Sequence, residues 1–125
     1  ILPYYNSIFM DIVCETWHEG QCFLPNEKTG RPIIARTPFI AYAGKDFLKN
    51  LKKLGFKTFD RWWSEEYDDH EGVQRIQYML KEIKKISRCP VDRLKEIQQE
   101  MMPVLEHNYK IIKSLTPEQM LEKFK

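Results

Sequence analysis

Between residues 9 and 59, short apolar runs alternate with segments of helical periodicity, and this alternation constrains the fold more than any other feature of the chain. "SIFMDIVCE" is mostly apolar, is bounded by polar residues and carries the β-branched pair Ile12 and Val13, so residues 9–14 read as a buried strand. "TWHEGQCFLPN" then reads as a loop, punctuated by Gly20 and Pro25. Asn26 suits an N-cap and Glu27 suits the first turn of a helix, where a carboxylate meets the positive end of the dipole. That helix is expected to run to about Ala35, with Pro32 disturbing its early part. "PFIAYA" (38–43) is a second strand. After Gly44, the apolar residues Phe47, Leu48, Leu51 and Leu54 recur at helical spacing, and Gly55 stands where a helix ends in the left-handed conformation. "FKTF" (56–59) reads as a third strand. Strand, helix, strand, helix, strand implies a parallel sheet with helices packed on it.

The second half changes character. Val73, Ile76, Leu80, Ile83 and Ile86 fall on one face of an amphipathic helix, which is expected to turn that face to the core. A second stripe runs through Leu94, Ile97, Met101, Leu105, Asn108 and Ile112, with Pro103 expected to kink or split its helix. Thr116, Pro117 and Glu118 carry the cap, N1 proline and acidic first turn of a short last helix. The fold class is therefore α/β: a small parallel sheet with flanking helices, a Rossmann-like half, plus a helical C-terminal region. Residues 1–70 would form the α/β core and 71–125 the helices packed on it, within one domain, as 125 residues suggest.

Charge and cysteine content narrow the function classes. Twenty basic against eighteen acidic residues leave a formal charge of +2, which supplies no electrostatic case for nucleic acid or a membrane surface. Cys14, Cys22 and Cys89 show no CxxC or Cys/His zinc spacing; they read as reduced thiols of a cytoplasmic protein, and no metal site is expected. No apolar run is long enough to span a bilayer and no signal segment opens the chain. The chain begins at Ile1 rather than Met, which reads as an excised piece of a longer protein.

In open parallel sheets, ligands bind outside the carboxyl ends of the strands. Three features fall at such ends: Glu15 at the close of the first strand, Asn26, Glu27, Lys28 and Thr29 at the helix start, and Ala43, Gly44 and Lys45 after the second strand. A helix N-terminus offers free N–H groups to a phosphate, Lys28 adds a point charge, and Glu15 or Glu27 could accept both hydroxyls of a ribose. Together these residue types suit recognition of a sugar nucleotide. In the structural reading of the same residues, Glu-Lys is an ordinary helix start and Glu15 a solvated strand end.

The run "CETW…FLPNEKTGRPIIARTPFIAYAG" resembles the donor-binding half of two-domain, fucosyltransferase-like glycosyltransferases, over residues 9–43. It is also similar to uncharacterised phage and bacterial proteins with the pattern "EKTxKPI…PFI…G…L…LGFKTF", a likeness that extends through "LGFKTFDRWWSEEYDDHEGVQRI" and on to "LEHNYKII". The resemblance implies that Glu15, Glu27 and Lys28 contact the ribose and phosphates of a nucleotide-sugar donor. It implies no permanently bound cofactor, and it places the acceptor and the catalytic base in a missing N-terminal domain. Asn26 stands where that group has threonine, and Gly30 where a bulky residue is common. On this reading the chain is a transferase only together with that acceptor domain. The alternative is a non-catalytic interaction or dimerisation module that docks through the Trp62/Trp63 region and the C-terminal helices.

Other clusters carry less. Asp60, Glu65, Glu66, Asp68, Asp69 and Glu71 fit no calcium loop and read as a solvated connector. Trp62, Trp63 and Tyr67 read as clamps of that connector on the core. His18 could enter a cleft, whereas His107 and Asn108 read as core or capping groups. Lys45, Lys49, Lys52, Lys53 and Lys57 read as a solvated helix face.

Overall fold

The computed structural model describes residues 9–14 and 27–114. Two short strands, β1 (Asp11–Cys14) and β2 (Phe39–Tyr42), pair in parallel, with Asp11 opposite Phe39 and Cys14 opposite Tyr42. Helix α1 (Glu27–Ile34) lies between them in sequence, as a parallel pair requires. Helix α2 (Phe47–Lys53) follows β2, a 3-10 turn spans Glu66–Asp69, and two longer helices close the described chain, α3 (Gly72–Ser87) and α4 (Val91–Ser114). The architecture is thus α/β, a parallel two-stranded sheet with flanking helices and a helical C-terminal region.

Helix ends follow the sequence chemistry. At the end of α2, Gly55 has φ 104°, its N–H bonds the Lys52 carbonyl and the Phe56 N–H bonds that of Leu51, which is a Schellman closure. Helix α1 closes the same way through Arg36, at φ 53°, with Arg36 N–H on Ile33 O and Thr37 N–H on Pro32 O at 2.8 Å. A left-handed arginine is costly, by roughly 1–2 kcal/mol. Its side chain is held in return, lying over the Tyr109 ring (3.8 Å to the centroid) and paired with Glu106, so that α1 is fastened to α4.

The core gathers Val13 from β1, Phe39, Ile40 and Ala41 from β2, and Phe47, Leu48 and Leu51 from α2. Phe56, Phe59, Trp63 and Tyr67 join it from the connector, and Met79, Ile97, Met101 and Leu105 from the long helices. Phe39 and Phe59 meet edge to face at 5.4 Å, and Phe59 continues onto Trp63 at 5.7 Å.

Three expectations are corrected. Residues 56–59 form no strand. Their backbone is satisfied by side chains instead: the buried Asn108 accepts the Lys57 N–H (2.8 Å) and donates to the Lys57 carbonyl (2.9 Å), while Glu65 accepts the Phe59 N–H (3.0 Å). Pro103 does not split its helix, because α4 is continuous. The proline faces solvent, as does Gln99, whose carbonyl loses its N–H partner and can be hydrated. The third correction concerns α3. Val73, Ile76 and Leu80 are exposed, and the face turned inward carries Arg75, Met79 and Glu82; only Ile83 and Ile86 of the expected stripe are half-buried. The expected last helix after Thr116 lies outside the described residues.

Candidate functional site

Because β1 and β2 run in the same direction and in register, their carboxyl ends share one edge of the sheet. Four residues, 35–38, join α1 to β2, and the Asp11 N–H bonds Pro38 O, so the last turn of α1 is tied to the opposite, amino edge. Its first turn, Glu27 to Thr29, is roughly 8–10 Å back along the helix axis from Ile34, toward the carboxyl edge. Of the residues expected to form the site, Glu15 and Asn26 lie outside the described residues. Glu27, Lys28 and Thr29 are described as helical backbone only.

Gly44, the sixth expected site residue, is described in full surroundings, and its carbonyl has structural work. It accepts the Phe47 N–H at 3.2 Å and Arg75 Nη1 at 3.3 Å. Arg75 organises this end of the molecule. Its side chain has no exposure. Nε and Nη2 donate to Ala41 O at 3.0 and 2.8 Å; Nη1 reaches the carbonyls of Tyr67 and His70 at 3.2 Å each; Nη2 lies 3.3 Å from Asp68 Oδ1. Burial pulls the guanidinium pKa below its ordinary value and the Asp68 carboxylate opposes that pull. With its N–H groups committed to protein oxygens, Arg75 is a fastening, and a phosphate would have to displace those bonds to use it.

Asp68 completes the arrangement from the other side. Its Oδ1 accepts the Leu48 N–H (2.9 Å) and its Oδ2 the Lys49 N–H (3.2 Å), and its own carbonyl accepts the Asp46 N–H. It therefore caps α2 from a distance of twenty residues, in place of Asp46, which sits left-handed at the N-cap position without a side-chain cap. Nearby, the Tyr67 ring lies 5.0 Å from the Arg75 guanidinium, its hydroxyl is buried without a hydrogen bond among the described residues, and burial pushes its pKa up.

The acidic connector is not wholly solvated. Among the described residues no group of His, Cys, Asp and Glu is arranged to hold a metal ion. Asp68 caps α2, and Glu65 is drawn in beneath the Phe59 N–H. Burial raises the pKa of Glu65 to about 7, against the lowering effect of its hydrogen bonds. The aromatic residues act as clamps: Trp63 is buried against Phe59 and Phe9, and the Trp62 indole N–H donates to Glu100 at 3.0 Å. His107 bonds the Gly55 carbonyl at 2.7 Å and His70 stacks on Tyr78 at 4.4 Å. Cys14 and Cys89 are free thiols.

No protein family, curated protein or solved structure matches the chain. No helix among the described residues is long and apolar enough to cross a membrane.

Sequence reasoning overlooked Arg75 and read Asp68 as part of a solvated connector, whereas it is buried and bonded. Arg75 shares a helical face with Met79, Glu82 and Ile86, a stripe carrying two charges that competes with the purely apolar one at Val73, Ile76 and Leu80. The available signal was the preceding acidic, turn-forming segment, which gives a buried cation a partner; nothing local shows that open backbone carbonyls await it.

Proposed function

We propose that the chain is the nucleotide-sugar-binding half of a glycosyltransferase-like protein, with the donor diphosphate held at the first turn of α1. The observation that supports this reading is the register of β1 with β2, joined through α1, which turns a Glu-Lys-Thr first turn toward the carboxyl edge of a parallel pair. There the free N–H groups of the helix and Lys28 would stabilise a leaving nucleoside diphosphate, and Glu15 or Glu27 would orient the ribose. Acceptor and base would come from another domain. Gly44 has a supporting part, since Arg75 and Asp68 fix the floor of that edge without offering it a free charge.

A thermal-shift panel of nucleoside diphosphates and nucleotide sugars tests the proposal. A ligand at a hundred times its Kd adds about 2.7 kcal/mol of stability, and Lys28→Ala should remove most of the shift. A panel without any shift would defeat it.

A second reading draws on the outward apolar residues of α3. Val73 is 71% exposed, Leu80 46% and Ile76 40%, and they lie on one face. This favours an interaction module docking through α3, with Trp63 excluded from the interface by its burial. Concentration-dependent association in sedimentation experiments, abolished by Leu80→Lys, would support it.

A further inference from the structure

A cavity of about 400 Å³ opens at the far end of α2, beside Lys52, away from the Gly44 end described above. Its volume is in the range of small-molecule sites. Lys52, Lys57 and Arg61 bring three cations to it, against Asp60 as the carboxylate in its wall. Arg61 is partly compensated, 4.0 Å from Glu100, but neither lysine has an ion-pair partner among the described residues. Phe56 and Trp62 supply flat apolar wall. Trp62 is fixed there by its hydrogen bond to Glu100, and Arg61 lies 5.2 Å from its ring centroid. Lys57 is fixed as well, since Asn108 grips both its backbone N–H and its carbonyl.

Thr58 also lines the cavity, but its hydroxyl is shielded from solvent and lies beside the Glu65 carboxyl, whose proton affinity it lowers.

We propose that this cavity binds a small aromatic phosphate of the nucleoside-monophosphate class: the phosphate between Lys52 and Lys57, and the ring against Trp62 and Phe56. A bare anion would leave the aromatic wall unused, and a neutral ring would leave the lysines unpaired. The site is separate from the donor site proposed above and stands whether or not that reading does.

The test is a titration of the 15N-labelled chain with adenosine monophosphate, followed by amide shifts. Adenosine alone and inorganic phosphate alone serve as controls. Saturable shifts are expected over Phe56 to Trp62 and at the Trp62 indole N–H. Each control should bind at least about tenfold more weakly, or 1.4 kcal/mol. Lys57→Glu should weaken binding by a similar factor, the variant keeping the wild-type spectrum elsewhere, while Lys28→Ala should leave it unchanged. The proposal is overturned if adenosine monophosphate produces no saturable shift there at millimolar concentration. Equal binding of either control, or insensitivity to Lys57→Glu, would overturn it too.

Discussion

Arg75 Nη2 stands 3.3 Å from Asp68 Oδ1, and this pair ties β2, the loop at Gly44, the start of α2 and the 3-10 turn to helix α3. Neither partner is at the surface. Arg75 carries the bonds to β2 and the turn, Asp68 those to α2, so removing either one strands groups that water does not reach. Arg75→Met should cost about 3–5 kcal/mol, the range for breaking a buried pair from one side. Against a domain stability of roughly 5–15 kcal/mol, that is a large fraction. Urea denaturation gives the number. Arg75→Lys should recover little, because three donors on one nitrogen cannot span Ala41, Gly44, Tyr67 and His70. A loss below about 1 kcal/mol for Arg75→Met would show that the network is held by its neighbours rather than by the guanidinium.

The same pair marks the limit of what the sequence revealed. Helix α2 was legible because Phe47, Leu48, Leu51 and Leu54 repeat at one period and Gly55 stops it, and all of this is local information. The α4 stripe was legible likewise: Ile97, Met101, Leu105 and Asn108 are its buried residues. Helix α3 misled because its most hydrophobic face is not its buried one. The carbonyls of Ala41 and Gly44 call for donors, and that requirement lies more than thirty residues away in the chain. Residues 56–59 misled for a related reason. Phe56 and Thr58 are buried and Lys57 exposed, as alternation suggests, but Asn108 and Glu65 take the backbone groups that a neighbouring strand would have bonded. At the candidate donor site, the parallel pairing was legible. The structural duty of the Gly44 carbonyl was not, because it depends on Arg75.

Glu65 gives the fold a pH dependence of defined sign. Its folded pKa is raised from 4.5 to about 7, chiefly by burial, so the folded state holds the proton more firmly than the unfolded chain does. Its contribution to stability is therefore full below about pH 4.5 and is lost as pH rises through about 7. Glu65→Gln keeps an acceptor for the Phe59 N–H and abolishes the titration. The variant should match wild type near pH 4.5 and exceed it above pH 7 by an amount on the order of 2–3 kcal/mol. Chemical denaturation at both pH values measures the difference, and a gap independent of pH would contradict the assignment.

Two glycines face α4 isoleucines at nearly the same distance and should respond in opposite directions. A Cβ on Gly30 would meet Ile112 Cδ1 at 3.6 Å, and a Cβ on Gly55 would meet Ile111 Cδ1 at 3.5 Å, both ordinary contacts. Gly30 lies inside α1 and has no positive φ, so Gly30→Ala should stabilise by about 0.5–1 kcal/mol through helix propensity and a less flexible unfolded chain. Gly55 is at φ 104°, so Gly55→Ala should destabilise by about 1–2 kcal/mol. Thermal melts of the two variants should move apart. Loss of stability in Gly30→Ala would mean that α1 and α4 are packed too closely for a methyl group.

Asn108 joins the stability of the fold to the proposed phosphate cavity. It is 2% exposed, accepts the Lys57 N–H and donates to the Lys57 carbonyl, so it replaces two bonds of an absent strand. Asn108→Leu fits the apolar stripe of α4 but leaves both backbone groups unpaired, and at about 1–3 kcal/mol each the loss should reach roughly 2–5 kcal/mol. Asn108→Asp retains the acceptor and removes the donor. It should lose less at pH 7 than Asn108→Leu, and the Lys57 carbonyl should then be the group facing a carboxylate. Hydrogen exchange distinguishes the two variants: the Lys57 amide should lose its protection in Asn108→Leu and keep much of it in Asn108→Asp. Full protection in both would mean that the Lys57 amide has another acceptor, and that neither the segment nor the cavity wall it forms depends on α4.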